Sequence, residues 1–168
     1  MKKHQIVKWI IFSIAVAINV FIIVNSFING ETSAKESGTV AEVIENVINN
    51  IQEDTINATN RDDFFFAVRK IVGHFSLFLI NGVFSTLALF LFLEEKKYYK
   101  FYWLITATIV TGFVIASFSE IAQLFVAGRS GTFSDIGIDF AGYLLGAGGV
   151  VLVLFLTKHL ISPKFKNI

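Results

Sequence analysis

Four stretches of this chain contain no Asp, Glu, Lys or Arg, and each is long: residues 9–30, 71–93, 101–119 and 140–157. A helix needs about 20 mostly apolar residues to cross the hydrocarbon core of a bilayer. The first two stretches reach that length outright, the third by continuing past Glu120 into residues 121–126, and the fourth by starting near Asp135. Hydrophobic residues make up 54% of the 168, charged residues only 16%, and mean hydropathy is +0.66. Soluble domains carry about 25% charge, so the solvent expected here is lipid. The prediction is an all-α polytopic membrane protein, a bundle of four transmembrane helices. A soluble enzyme and a disordered chain are excluded. The absence of Cys removes disulfides, thiol redox chemistry and thiolate metal sites. A formal net charge of +1 excludes a strongly basic nucleic-acid binder.

Basic residues in short loops mark the cytoplasmic face. Lys2, Lys3 and Lys8 precede the first span, Lys96, Lys97 and Lys100 follow the second, and Lys158, Lys164 and Lys166 form the tail. Together they are nine of the 14 basic residues, and they fall on alternate connections. Both termini are therefore expected in the cytoplasm, with residues 31–63 and 127–134 outside. Tyr98, Tyr99, Tyr102 and Trp103 fit an interfacial belt at the inner boundary. The first apolar run exceeds the roughly 7–15 residues of a signal-peptide core, and Thr32-Ser33-Ala34 is a weak cleavage site, so the first helix is read as uncleaved.

The acidic insert has its own period. Val40, Val43, Ile44, Val47, Ile48 and Ile51 recur at helical spacing, and Thr39 with Glu42 reads as a capping box, predicting an amphipathic helix over 40–53. It is expected to pack on the outer rim of the bundle, since a helix lying on the membrane surface would carry a basic face. Asn60 and Asp63 are spaced as a cap and its third residue ahead of the second span. The chain then divides into residues 1–30 (first transmembrane helix), 31–66 (extracytoplasmic helical insert), 67–157 (three-helix core) and 158–168 (basic cytoplasmic tail).

Ionisable residues inside spans are costly and are functional candidates by default. The second span runs inward carrying Arg69, Lys70 and His74. The third runs outward to Ser119, Glu120 and Gln123. The short loop holds Arg129, and the fourth span runs inward from Asp135 and Asp139. Span order alone therefore gathers Arg69, His74, Ser119, Glu120, Gln123, Arg129, Asp135 and Asp139 at one depth in the outer half of the membrane. Asp135, Asp139, Gly142 and Gly146 form one stripe, whose Gly142/Gly146 part allows close helix packing or self-association. Each residue also has a plainer role. Arg69 and Lys70 can snorkel to headgroups, Asp135 can complete a capping box with Thr132, and Glu120 can form a structural ion pair with Arg129 or Arg69. One His beside arginines is a poor cation site, so neither a metal nor another cofactor is expected.

Together these runs resemble the VanZ-like family. Arg69-Lys70-Ile71-Val72-Gly73-His74-Phe75 is similar to its R-K-x-x-H-F signature, Ser119-Glu120-Ile121-Ala122-Gln123 to its S-E-x-x-Q motif, and Gly128-Arg129 with Asp135 to its outer-loop G-R-x-x-x-x-x-D pattern. The family usually shows an Asn before a Gly, where this chain has Asp139 before Gly142 and Gly146. The resemblance spans roughly residues 69–156. It implies a bacterial multi-pass envelope protein, and it brings in glycopeptide susceptibility, since the founding member is associated with low-level teicoplanin resistance. Many members lie outside resistance clusters, and the family has no established catalytic mechanism.

The residues themselves lead to two main readings. In one, a polar outer-leaflet site recognises a lipid-linked or anionic envelope component, with Arg69 and Arg129 binding phosphate or carboxylate while Glu120, Asp135 and Asp139 orient them or bind polar groups of the ligand. In the other, a membrane-embedded acid–base enzyme works through His74 and a carboxylate, with Ser119 as a candidate nucleophile. A structural scaffold and a small transporter, oligomerising through Gly142/Gly146, complete the alternatives. The expected partners are membrane lipids, a lipid-linked precursor or anionic lipid, and a second copy of the chain.

Overall fold

The computed structural model describes residues 3–96 and 100–157. Lys2, Lys97, Tyr98, Tyr99, Lys158, Lys164 and Lys166 lie outside the described residues. The described chain is all-helical, in the order α1 (Lys3–Ser26), α2 (Gly30–Ile51), α3 (Arg61–Val68), a π-helical turn (Arg69–Phe75), α4 (Ser76–Leu93), α5 (Phe101–Gln123) and α6 (Phe133–Leu156). Segments α3, the π turn and α4 run on as one rod, Arg61–Leu93. Among the described residues, that rod, α1, α5 and α6 are the four helices long and apolar enough to cross a membrane.

Glycine decides which of them touch most closely. A Cβ on Gly142 would collide with the carbonyl oxygen of Phe75, and one on Gly146 with that of Leu79. From the other side, a Cβ on Gly82 would collide with the carbonyl oxygen of Tyr143. The backbones of α4 and α6 therefore meet directly, as small residues allow in a bilayer where helix association rests on packing. Tyr143 fills the space beside them, its ring lying against Gly112 of α5. Ile22, Phe78, Ala116, Tyr143 and Ala147 form the buried apolar centre. The Gly142/Gly146 face is thus used inside the chain and is closed to a second copy.

Helix α1 is held at two levels. Mid-bundle, Asn81 donates to Asn19 Oδ1 (3.2 Å), Asn19 donates to Ser85 Oγ (3.3 Å), and Ser85 donates to Asn81 Oδ1 (2.8 Å). At its N-terminal end Lys8 donates to Glu95 at 2.5 Å and lies over the Phe92 ring, 4.0 Å from the centroid. That ammonium holds the Glu95 carboxyl below its ordinary pKa. These contacts place the N-terminus and the α4–α5 connection at one end of the bundle. The insert occupies the other end.

The insert helix starts earlier than its sequence pattern suggests. It begins at Gly30, where Asn29 caps it by accepting from the Thr32 N–H at 2.8 Å, while Thr39 sits mid-helix and donates to the Lys35 carbonyl. An Asn cap is as favourable as any, and no residue between Gly30 and Thr39 breaks the helix. Ala41 is buried and Ile44 and Ile48 half-buried, whereas Val40, Val43, Val47 and Ile51 remain exposed. The six-residue stripe is therefore divided between two directions. Arg61 at the start of α3 ties the helix down, with Nε 2.9 Å from Glu45 Oε1. Asn60 occupies the cap position of α3, but its side chain bonds Asn57 N–H and the Thr55 carbonyl in the preceding turn instead.

The glycine seam makes a sharp prediction. Gly146→Leu should cost about 3 kcal/mol or more, because a branched side chain is driven into backbone. Gly148→Leu, where nothing lies within 4 Å of the new Cβ, should leave the midpoint of unfolding in detergent nearly unchanged. Circular dichroism melts of the two variants check this.

Candidate functional site

The site gathers at the insert end, and the π turn sets its register. Ser76 N–H bonds the carbonyl of Ile71, five residues back, and Ser76 Oγ bonds the same oxygen at 2.9 Å. Such turns hold one residue more than an α-turn and recur at functional sites. Ile71, Val72 and Gly73 separate Lys70 from His74, and all five residues lie within the π turn. Lys70 and His74 both reach α6, one turn apart: Lys70 pairs with Asp135, and His74 Nδ1 lies 3.1 Å from Asp139 Oδ1. Lys70 also lies over the Phe66 ring, 5.0 Å from its centroid. It is committed to a carboxylate rather than to snorkelling.

Glu120 is nearly enclosed, 2% exposed, and Asp139 is fully buried. Glu120 Oε1 accepts from Gln123 Nε2 at 2.7 Å and stands 3.8 Å from His74 Nδ1. Its Oε2 accepts the Thr132 backbone N–H at 3.2 Å. Gly131 makes that approach feasible, since a Cβ there would strike the Glu120 carbonyl oxygen. Thr132 caps α6, its hydroxyl accepting from Asp135 N–H. The return bond of a capping box is missing: Thr132 N–H goes to Glu120, and the Asp135 carboxylate is left for Lys70.

Arg129 is placed by two glycines. Gly128 adopts φ +72°, a left-handed conformation suited to glycine. Gly30 comes against it closely enough that a Cβ would overlap the Gly128 carbonyl, and Gly30 N–H bonds the Ala127 carbonyl at 3.0 Å. This contact carries the first turn of α2 to the loop, where Arg129 Nη1 donates to Ser33 Oγ. Arg129 Nε is buried without a partner. Burial, reinforced by the charge of Arg69, pushes this guanidinium below its ordinary pKa.

A cavity of about 220 Å³ opens between α1, α2, the π turn and the end of α5. Arg69, His74, Ser119, Gln123 and Arg129 line it, with Ser33, Asn25 and one acidic residue, Glu36. A second cavity of about 210 Å³ shares Arg69, His74 and Gln123 and adds Lys70, Thr132 and Asp135. Ser119 Oγ is 2.8 Å from Ser26 Oγ, which itself donates to the Ile22 carbonyl. The base that a Ser119 nucleophile needs is therefore not its hydrogen-bond partner.

The eight residues singled out from the sequence thus lie at one end of the bundle, but they sort into different partners. His74, Glu120, Gln123 and Asp139 form one group, and Asp135 turns to Lys70. Ser119 turns to Ser26 and Arg129 to Ser33. No carboxylate forms an ion pair with Arg69 or Arg129 among the described residues, so the acidic side chains do not orient the arginines. Ser26, Ser33 and Lys70 went unselected. Ser33 carried no periodic signal, lying ahead of the insert's apolar stripe, and Lys70 looked like a surface anchor.

A model of the VanZ/LLP1 family matches residues 9–156. The chain belongs to that family. The match begins at residue 9 rather than near residue 69, where the recognisable motifs start, so α1 and the insert belong to the shared region. With four helices able to cross a membrane, this VanZ/LLP1 member is a multi-pass membrane protein. Neither a curated protein nor a solved structure matches it.

The Lys70–Asp135 pair yields a test. Both side chains are mostly buried, 16% and 12% exposed, and stranding one partner of such a pair costs about 3–5 kcal/mol. Asp135→Ala alone should therefore destabilise the protein more than Asp135→Ala combined with Lys70→Met, as read from unfolding midpoints of the purified variants.

Proposed function

We propose that this VanZ/LLP1 member recognises an anionic or lipid-linked component of the cell envelope at the cavity between α1, α2 and the π turn. One observation carries the reading. Arg69 and Arg129 border the same cavity, repel each other, and have no carboxylate partner among the described residues. Two guanidinium groups in a partly buried cleft call for an anion, and phosphate or carboxylate oxygens match their paired donors. Ser33, Asn25 and Gln123 offer neutral hydrogen bonds beside them. With both termini cytoplasmic, as the basic loops predict, the cleft faces the outer leaflet. Residues 31–66 then act as an extracytoplasmic cover over the 67–157 core, and glycopeptide susceptibility is the phenotype to score in cells. A second reading, an acid–base enzyme acting on a lipid, has the His74–Asp139 hydrogen bond in its favour, since a catalytic imidazole needs such an orienting partner.

Protein in neutral-lipid nanodiscs can be titrated with undecaprenyl phosphate or phosphatidylglycerol, with phosphatidylcholine as the control. A charge-assisted hydrogen bond contributes about 1.5–3 kcal/mol. Arg129→Gln and Arg69→Gln should thus each weaken binding of the anionic lipids by about tenfold or more. Wild-type binding in both variants would refute anion recognition here. Reporter fusions after residues 60, 97 and 130 test the orientation: a cytoplasmic signal from residue 130 would place the cleft at the inner leaflet.

A further inference from the structure

The deepest part of the polar cluster has a composition that anion binding does not explain. Glu120 and Asp139 bring two carboxylates into a place closed to solvent. The nearby lysine and arginines do not pair with them. Lys70 is paired with Asp135, Arg129 with Ser33, and neither Arg69 nor Arg129 forms an ion pair with Glu120 or Asp139. His74 is the basic group in direct contact with both carboxylates. One imidazole is, among the described residues, the only base in direct contact with the two buried carboxylates, Lys70 and Arg129 acting on them only from farther away, and a buried charge without a close partner is costly.

The geometry supplies a partner. One ligand atom from each of His74, Glu120 and Asp139 lies within 4.8 Å of the other two. Within that set His74 Nδ1 is 3.1 Å from Asp139 Oδ1 and 3.8 Å from Glu120 Oε1. Metal–ligand bonds of about 2.0–2.2 Å place tetrahedral ligands about 3–3.5 Å apart, so small side-chain movements suffice. The remaining Asp139 oxygen, Oδ2, is buried with no hydrogen-bond partner, an acceptor left without a donor. Outer support is present as well: the Thr132 N–H holds Glu120 Oε2 and Gln123 donates to Oε1, the oxygen nearer His74, the kind of contact that orients metal ligands.

We propose that His74, Glu120 and Asp139 bind a divalent metal ion. One imidazole with two carboxylates suits Zn²⁺, Mn²⁺ or Fe²⁺ better than Ca²⁺ or Mg²⁺, which prefer oxygen-only sets. Three protein ligands leave at least one coordination position for water or a ligand oxygen. Because His74 also lines the arginine cavity, the ion borders the anion cleft. The sequence argues against a metal because arginines stand nearby; in the fold Arg69 and Arg129 do line the cavity beside His74, but neither forms an ion pair with Glu120 or Asp139. The proposal rests on the three ligands alone and does not depend on the anion reading.

Full-length protein in detergent, stripped with EDTA and dialysed against Zn²⁺ or Mn²⁺, tests it. Elemental analysis should find about one ion per chain in the wild type. His74→Ala, Glu120→Gln and Asp139→Asn should each lower affinity at least about tenfold, while Arg129→Gln, which disables the anion cleft, should keep the metal. A wild type that takes up no stoichiometric ion, or ligand variants that retain it as the wild type does, would overturn the site. X-ray absorption of the Zn²⁺-loaded wild type needs no variant to fold. It should show light N/O ligands at about 2.0–2.2 Å including one imidazole, and a first shell without imidazole would also overturn it.

Discussion

Direct backbone contact between α4 and α6 is the constraint on which the rest of the arrangement depends. Gly82, Gly142 and Gly146 let the two helices approach until carbonyl oxygens of one occupy space a Cβ would need on the other. At that separation, side chains flanking the seam have little freedom to avoid one another. Asp139 lies one turn from Gly142 on α6, and His74 immediately precedes Phe75, whose carbonyl Gly142 touches. The same closeness that packs the helices therefore presses His74 onto Asp139. With bulkier residues in the seam the helices would stand apart, and the short imidazole–carboxylate contact could not form.

The π turn converts that packing into a ladder. Within it Lys70 and His74, four residues apart and on one face, address successive turns of α6, at Asp135 and Asp139. Each acid is thereby assigned its own base. The α5–α6 loop closes the arrangement from above, because Gly131 allows Thr132 to donate its N–H to Glu120. Thr132 links the two halves: its hydroxyl starts α6 and its N–H holds Glu120. A single loop residue thus couples the end of α5, the start of α6 and the buried carboxylate cluster.

The arginines belong to a separate layer. They stand toward α2, where Gly30 and Gly128 meet and Ser33 receives Arg129. The result is a division by charge: buried carboxylates with an imidazole at the helix interface, and guanidinium groups at the cleft. Among the described residues, Glu36 is the one acidic residue lining the cleft beside the two arginines, and His74 is the one base in contact with the two buried carboxylates, so an anion in the first layer and a cation in the second would each add counter-charge.

Much of this was legible in the residues themselves. Charge-free runs of 18 or more residues determine the four spans, since a bilayer excludes unpaired charge regardless of what packs beside it. Span order then determines that Arg69, His74, Glu120, Arg129, Asp135 and Asp139 share one end of the bundle. What only the tertiary structure decided is who pairs with whom. Lys70 takes Asp135, His74 takes Asp139, Arg129 takes a serine from the insert, and the glycine stripe is spent inside the chain. Periodicity places a side chain on a face and at a depth, to within about one helical turn of 5.4 Å. Ion pairs and metal sites are chosen over shorter distances, about 2–4 Å, and those distances are set by how closely neighbouring backbones pack.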